Sequence, residues 1–199
     1  PRITLIRDHA LDQGGAVDLS WSASDIDANP SPGVTEYRLW RSAPTNAAAT
    51  QAFARQRGVT SDPDDAVVSG RLYVPAAAAT DYAWEYMLTV PATQAASYTR
   101  TVATTTDSFP TSNRRTAFMV QARKPSAPTP AFWFSLPDSG YSVDNLPPSP
   151  PSPFVGAYAA GSTLCAWQPN AEPDMASYRL YRGNALGFVP GPANLVISK

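Results

Sequence analysis

Gly15-Ala16-Val17-Asp18-Leu19-Ser20-Trp21 returns later in the chain as Gly161-Ser162-Thr163-Leu164-Cys165-Ala166-Trp167. Downstream, Glu36-Tyr37-Arg38-Leu39-Trp40-Arg41-Ser42 returns as Ser177-Tyr178-Arg179-Leu180-Tyr181-Arg182-Gly183. The interval from Trp21 to Tyr37 is longer than that from Trp167 to Tyr178, and the difference falls in one polar loop, Asp25 to Val34. Two blocks recurring in the same order, with the change confined to a loop, point to duplicated domains. Both blocks alternate with period two. Val17, Leu19 and Trp21 share one face and Asp18 and Ser20 the other; Tyr37, Leu39 and Arg41 oppose Arg38 and Trp40.

The same alternation predicts strands at Ile3 to Ile6, Trp84 to Val90, Tyr98 to Ala103, Thr116 to Ala122 and Ala131 to Ser135. Turn chemistry separates them at Pro30-Ser31-Pro32-Gly33, Asp107 to Pro110 and Pro125 to Pro130. Many short strands with frequent turns make an antiparallel sandwich or barrel. One stretch departs from this pattern. Thr45 to Arg57 is rich in helix formers, free of Gly and Pro, and stopped by Gly58, so a short inserted helix is expected with Ala49 and Phe53 turned inward. Ser61 to Asp65 reads as loop, and Arg71 to Val74 as a short strand ahead of the alanine run at 76–79.

Between Asp144 and Pro153 the chain becomes proline-rich, which suits a semi-rigid spacer. The predicted domains are 1–147, with an insertion at about 43–83, and 148–199, roughly half the length a sandwich needs. The second is therefore expected to need completion by polypeptide outside it or by a neighbouring molecule. Trp21 and Trp167 are expected in the cores of their domains.

Composition bounds the function. Fifteen basic and sixteen acidic residues give a net charge of −1, which argues against a nucleic-acid binder held by a basic surface. No apolar run approaches the ~18 residues of a membrane span. One cysteine and one histidine cannot form a disulfide framework or a two-histidine metal site.

The tryptophans of the second strands (Trp21, Trp167), the third strands Tyr37 to Arg41 and Tyr178 to Arg182, the fragment Asp12-Gln13-Gly14-Gly15 and the closing run Gly140 to Pro148 resemble tandem fibronectin type III domains of large secreted or cell-surface bacterial proteins. The resemblance spans most of the chain except residues 43–83. It implies an all-β, immunoglobulin-like fold of antiparallel sandwiches, the first with a short helical insertion and the second partial. It also implies an extracellular or cell-surface location. Phe118 stands where the family usually carries a tyrosine in its sixth strand, and the second copy lacks the last strands.

Several residues are candidates for chemistry. Asp25, Asp27, Asn29 and Glu36 follow the oxygen spacing of a calcium loop, although Pro30 replaces its glycine and strands flank it; they are a weak calcium candidate beside the reading as a solvated turn. Asn170, Glu172 and Asp174 hold the equivalent loop of the second copy. Asp62, Asp64 and Asp65 read as a flexible acidic loop. His9 reads as a surface residue and Cys165 as a small buried apolar one, since a nucleophilic cysteine would want a base beside it. Trp40, Phe132, Trp133, Phe134 and Tyr181 lie on strands, and an outward row of them would suit stacking on sugar rings or docking a protein. No phosphate loop, nucleophile elbow or zinc-protease motif occurs. The expectation is a non-catalytic structural, adhesive or assembly module without a cofactor. Its partners would be other domains of a parent chain or neighbouring subunits. The alternative is a carbohydrate- or ligand-binding accessory domain of a secreted hydrolase.

Overall fold

A computed structural model describes residues 1–27, 33–43, 47–75, 83–124, 131–172 and 174–198, with backbone alone at 47–50. The turns expected at 30–32 and 125–130 and the alanine run at 76–79 lie outside the described residues. The chain is mostly strand and divides into two compact units, Pro1–Asn145 and Leu146–Lys199. Among the described residues no helix is long and apolar enough to cross a membrane.

Unit 1 holds two sheets. The smaller joins β1 (Arg2–Asp8), β2 (Ala16–Ser22) and β7 (Ser97–Ala103), all antiparallel, with β2 in the middle. The larger is built on β3 (Glu36–Ser42), which pairs with β6 (Trp84–Pro91) on one side and β8 (Thr116–Lys124) on the other. The far edge of β8 takes two short strands, β9 (Ala131–Phe134) and β10 (Asp138–Gly140). At the break Ser135 donates its N–H to the Val120 carbonyl, while its hydroxyl accepts the Val120 N–H. A side chain thus replaces one rung of the ladder just before Pro137, and the outer edge is interrupted, as sheet edges commonly are.

The alternation read in the sequence makes the main core. Val17, Leu19, Trp21, Tyr98 and Val102 of the smaller sheet meet Tyr37, Leu39, Val90, Phe118, Val120 and Ala122 of the larger, giving a sandwich-like pair of layers. Phe118, in place of the expected tyrosine, is fully buried there.

A second core lies on the opposite face of the larger sheet, formed by Trp40, Trp84, Ala117 and Met119 with Tyr73 and Ala66 of the inserted segment. This explains why β8 is buried at seven consecutive positions, on both faces rather than on alternate residues. Trp40 donates its indole N–H to Gln121 Oε1 at 3.2 Å, which satisfies a polar ring deep in this layer.

The insertion corrects two expectations. Asp62 to Asp65 opens a helix, α2 (Pro63–Ser69), and is not loop. The Asp62 side chain caps the Asp64 N–H at 2.9 Å, Pro63 takes the first turn, Asp64 and Asp65 face its positive end, and Gly70 stops it at φ 73. The expected helix forms as α1 (Ala47–Arg57) and ends at Gly58. However, Phe53 is only half-buried, with the Arg57 guanidinium 4.6 Å above its ring, and the Ala49 side chain is outside the described residues. Between the helices β4 (Val59–Thr60) pairs in parallel with β5 (Leu72–Tyr73), which also joins β6, so α2 is a miniature crossover.

Unit 2 has two hairpin-like pairs. β11 (Phe154–Ala159) and β12 (Ser162–Trp167) join through Ala160 and Gly161, both at positive φ; β13 (Arg179–Tyr181) pairs with β14 (Leu195–Ser198). No described residue of this unit is buried. Trp167, expected in a core, is therefore half-exposed: it contacts Phe154 and Tyr178, but the described residues of unit 2 contain no counterpart of β7 or β8 to cover it.

Candidate functional site

The calcium candidate does not assemble as four free oxygen ligands. Asp27 turns inward, 3% exposed, and its Oδ2 accepts the hydroxyls of Tyr98 at 2.6 Å and Tyr37 at 2.9 Å. Tyr37 Oη in turn accepts the Ser24 N–H, and Tyr98 Oη those of Thr93 and Ala95. Burial, reinforced by the Asp27 carboxylate, holds the Tyr37 hydroxyl well above the usual phenol range, so it stays a donor. Asp25 is exposed, and Asn29 lies outside the described residues. Glu36 Oε1 accepts from Arg38 at 3.0 Å and from Arg123 at 3.5 Å. Among the described residues no three His, Cys, Asp or Glu side chains group as a metal would need.

Glu36 belongs instead to a charge cluster on the outer face of the larger sheet. Arg38, only 8% exposed, and Arg123 both hold Asp64 at the start of α2: Arg38 Nη1 reaches Oδ1 at 2.5 Å, and Arg123 binds both oxygens at 3.0 and 2.9 Å. Burial pushes the Asp64 carboxyl up, but the hydrogen bonds from Arg123 and Arg38 outweigh it and leave the carboxyl below its ordinary value. The same bonds raise the Arg123 guanidinium. Asp65 pairs with Arg71, so the three carboxylates read as a flexible loop cap and anchor the insertion. Two cations facing two anions neutralise one another and leave no charge aimed at a ligand.

His9 is not isolated. Its Nδ1 meets Asp18 Oδ1 at 2.9 Å, and Asp18 also accepts from Thr101 and Arg7. Burial raises the Asp18 carboxyl, yet the bonds from Thr101 and His9 bring it below the usual range. A histidine oriented by an aspartate is half of a nucleophilic device, but among the described residues no hydroxyl or thiol meets the other ring nitrogen. Near the other end of β3, Glu85 receives Arg41 and Arg57, tying α1 to the sheet.

Trp40, Phe134 and Phe132 share the outer face of the larger sheet, linked through Tyr73 by ring contacts of 5.4 Å, but the inserted segment covers most of that row. Trp40 is fully buried, and Phe134 is half-buried and stacked on Tyr73 at 5.4 Å. Phe132 and Trp133, 40% and 43% exposed, are sequence neighbours and so point to opposite sides of β9. Tyr181 is half-buried in unit 2. There too, Glu172 accepts the Ser149 N–H at 2.9 Å and is lowered by that bond to about 2, while Asn170 bridges Glu172, Ser149 and Tyr178. Asp174 is exposed. Cys165 is only partly buried and lines an open groove of about 510 Å3 with Ala166, Trp167, Pro169 and Tyr178.

Sequence reading missed the Asp27–Tyr37–Tyr98 and Arg38–Asp64–Arg123 networks because each joins residues from three distant segments. A visible sign was Arg38 on the same face as Trp40, a charge placed where an aromatic also points. No protein-family model matches the chain, and no curated protein matches it significantly.

Proposed function

We propose that this chain is a non-catalytic structural or assembly module of a larger extracellular or cell-surface protein, built from fibronectin type III-like sandwiches. What supports the reading is the antiparallel two-layer arrangement of unit 1: three strands in the order β1-β2-β7 face a sheet whose central order is β10-β8-β3-β6, and the insertion extends the β6 side. The observation that carries the reading is what the ionisable groups of unit 1 do. Asp27, Glu36, Asp64, Asp18 and Glu85 each hold two or more elements together through hydrogen bonds and ion pairs. Side chains used this way stabilise a spacer rather than turn over a substrate. A thermal-shift screen against divalent cations and oligosaccharides, run beside hydrolase assays, tests this. Flat midpoints and no turnover are expected; a saturable rise with a glycan would instead favour an accessory binding domain.

A further inference from the structure

We propose that the free edge of β7 is guarded. The Arg41 and Arg100 guanidinium groups cover the carbonyls that a further strand would need, and so keep copies of this fold from joining sheet to sheet. The proposal goes beyond the structural reading above and does not depend on where the module works or what it binds.

The phase of the ladder shows which groups the edge presents. The Thr104 N–H donates to the Gly15 carbonyl at 2.9 Å and the Ala23 N–H to the Ala96 carbonyl at 3.0 Å, with an unbroken register between them. Bonded pairs recur at every second residue of an antiparallel ladder. Tyr98, Arg100 and Val102 therefore turn their backbone groups to β2, whereas Ser97, Thr99, Thr101 and Ala103 aim theirs away from the sheet. β7 is the outermost strand on that side. An edge of this kind is a template for another chain. The other edges of unit 1 are blunted by shape: β1 by the register shift between Ile3 and Leu5, the β8 side by the break at Ser135, and β4 by its length of two residues. β7 has seven residues, no shift and no proline.

Its protection comes from side chains. Arg100 Nη1 donates to the Thr99 carbonyl at 2.9 Å. Arg41 Nη1 reaches across from β3 to the Ala103 and Thr104 carbonyls at 3.2 and 3.0 Å, and its other nitrogen, Nη2, is held by Glu85. A second copy could lie along β7 in antiparallel registers centred on Thr99, Arg100 or Thr101. The first joins Thr99 to Thr99, the second Thr99 to Thr101, and the third Thr99 to Ala103. All three need the Thr99 carbonyl as acceptor, and the third needs that of Ala103 as well. An arriving strand must displace a guanidinium or bury its charge beside the new ladder, and the middle register also sets Arg100 against Arg100. The sequence duplicates blocks of this fold, and tethered copies meet at about millimolar effective concentration, where an open edge would pair.

The test reads amide exchange at residues 97–103 of the full 199-residue chain, from dilute to millimolar protein. In the unsubstituted chain the Thr99, Thr101 and Ala103 amides should exchange fast at every concentration, and those of Arg100 and Val102 slowly. In Arg100→Ala the first three should slow at least tenfold as concentration rises, and adding Arg41→Met should deepen the effect. Arg100 is exposed, so its removal leaves the fold in place, and that variant alone decides the matter if the double one unfolds. An arginine with a merely structural role would shift the melting midpoint without this dependence on concentration. Slowing of the three amides in the unsubstituted chain would overturn the proposal, because the edge would then accept a strand despite its caps. So would unchanged fast exchange in Arg100→Ala at millimolar protein, which would mean that the guanidinium guards nothing.

Discussion

The Tyr178 hydroxyl accepts the Asn170 backbone N–H at 2.5 Å, as the Tyr37 hydroxyl accepts that of Ser24 at 2.8 Å. In both units the donor lies three residues past a tryptophan whose ring touches the same tyrosine, at 5.8 Å for Trp21 and 5.4 Å for Trp167. The duplication thus extends from sequence to a shared corner, and the units differ in what lies on the other side of the indole.

That difference sets the first expectation. Trp21 is fully enclosed, so Trp21→Ala should cost about 3–5 kcal/mol by urea unfolding, the range for large buried aromatics. Trp167 is half-exposed and lacks the stacked third ring, so Trp167→Ala should cost less than about 1 kcal/mol, the ordinary range of surface substitutions. Equal losses would show that both tryptophans are packed alike.

Tyr98→Phe removes one of two O–H donors from a carboxylate that has almost no water. A hydrogen bond to a charged group contributes about 1.5–3 kcal/mol, and the loss should fall in that range. Asp27→Ala should cost at least as much, because both hydroxyls then lose their acceptor. A cost near zero for Tyr98→Phe would mean that water replaces the phenol at Asp27.

Because Asp27 faces inward and Glu36 lies on Arg38 and Arg123, millimolar calcium should leave the melting midpoint unchanged. An ion bound only by the folded chain must raise it. A saturable rise would place calcium at this loop after all.

Asp64 ties the insertion to the sheet, and its carboxyl is lowered on folding. The unfolded chain therefore binds that proton more readily than the folded one. The contribution of Asp64 to stability is complete above its ordinary value of 3.8 and fades as pH falls below it through the folded value. Asp64→Asn should flatten this part of the acid stability profile and raise exchange at α2 before the rest of unit 1. A profile unchanged by the substitution would remove Asp64 from the acid response.

The main strands of unit 1 were legible because they bury one face against the other sheet, and a period of two records that directly. β8 was legible as a strand but not as a doubly buried one. Alternation shows which residues share a face, not whether an insertion fifty residues away returns to cover the outer one, as Ala66 and Tyr73 do. The start of α2 was written in Asp62-Pro63-Asp64-Asp65, a capping residue, a first-turn proline and two acids, and was masked by the general link between acidic runs and loops. In the loop from Asp25 to Glu36, oxygen spacing alone could not reveal that Asp27 turns under two tyrosines, one of them from β7.

Gly14 and Gly15 provide a matched pair for the last test. Both sit at φ 78, in the left-handed region where a side chain is strained. A Cβ on Gly15 would meet open space, so Gly15→Ala should cost only that strain, about 1 kcal/mol. A Cβ on Gly14 would lie 2.5–2.8 Å from the Asp107 carboxylate. That carboxylate accepts the Gly15 N–H and the Ser142 hydroxyl, each at 2.6 Å, and so ties the β1–β2 turn to the segment after β10. Moving it breaks at least one of these bonds, which contributes about 1.5–3 kcal/mol to a charged acceptor, so with the strain Gly14→Ala should cost about 2.5–4 kcal/mol or more. Urea unfolding of the two variants measures the difference. Equal costs would mean that Asp107 swings aside freely and does not hold this end of unit 1 closed.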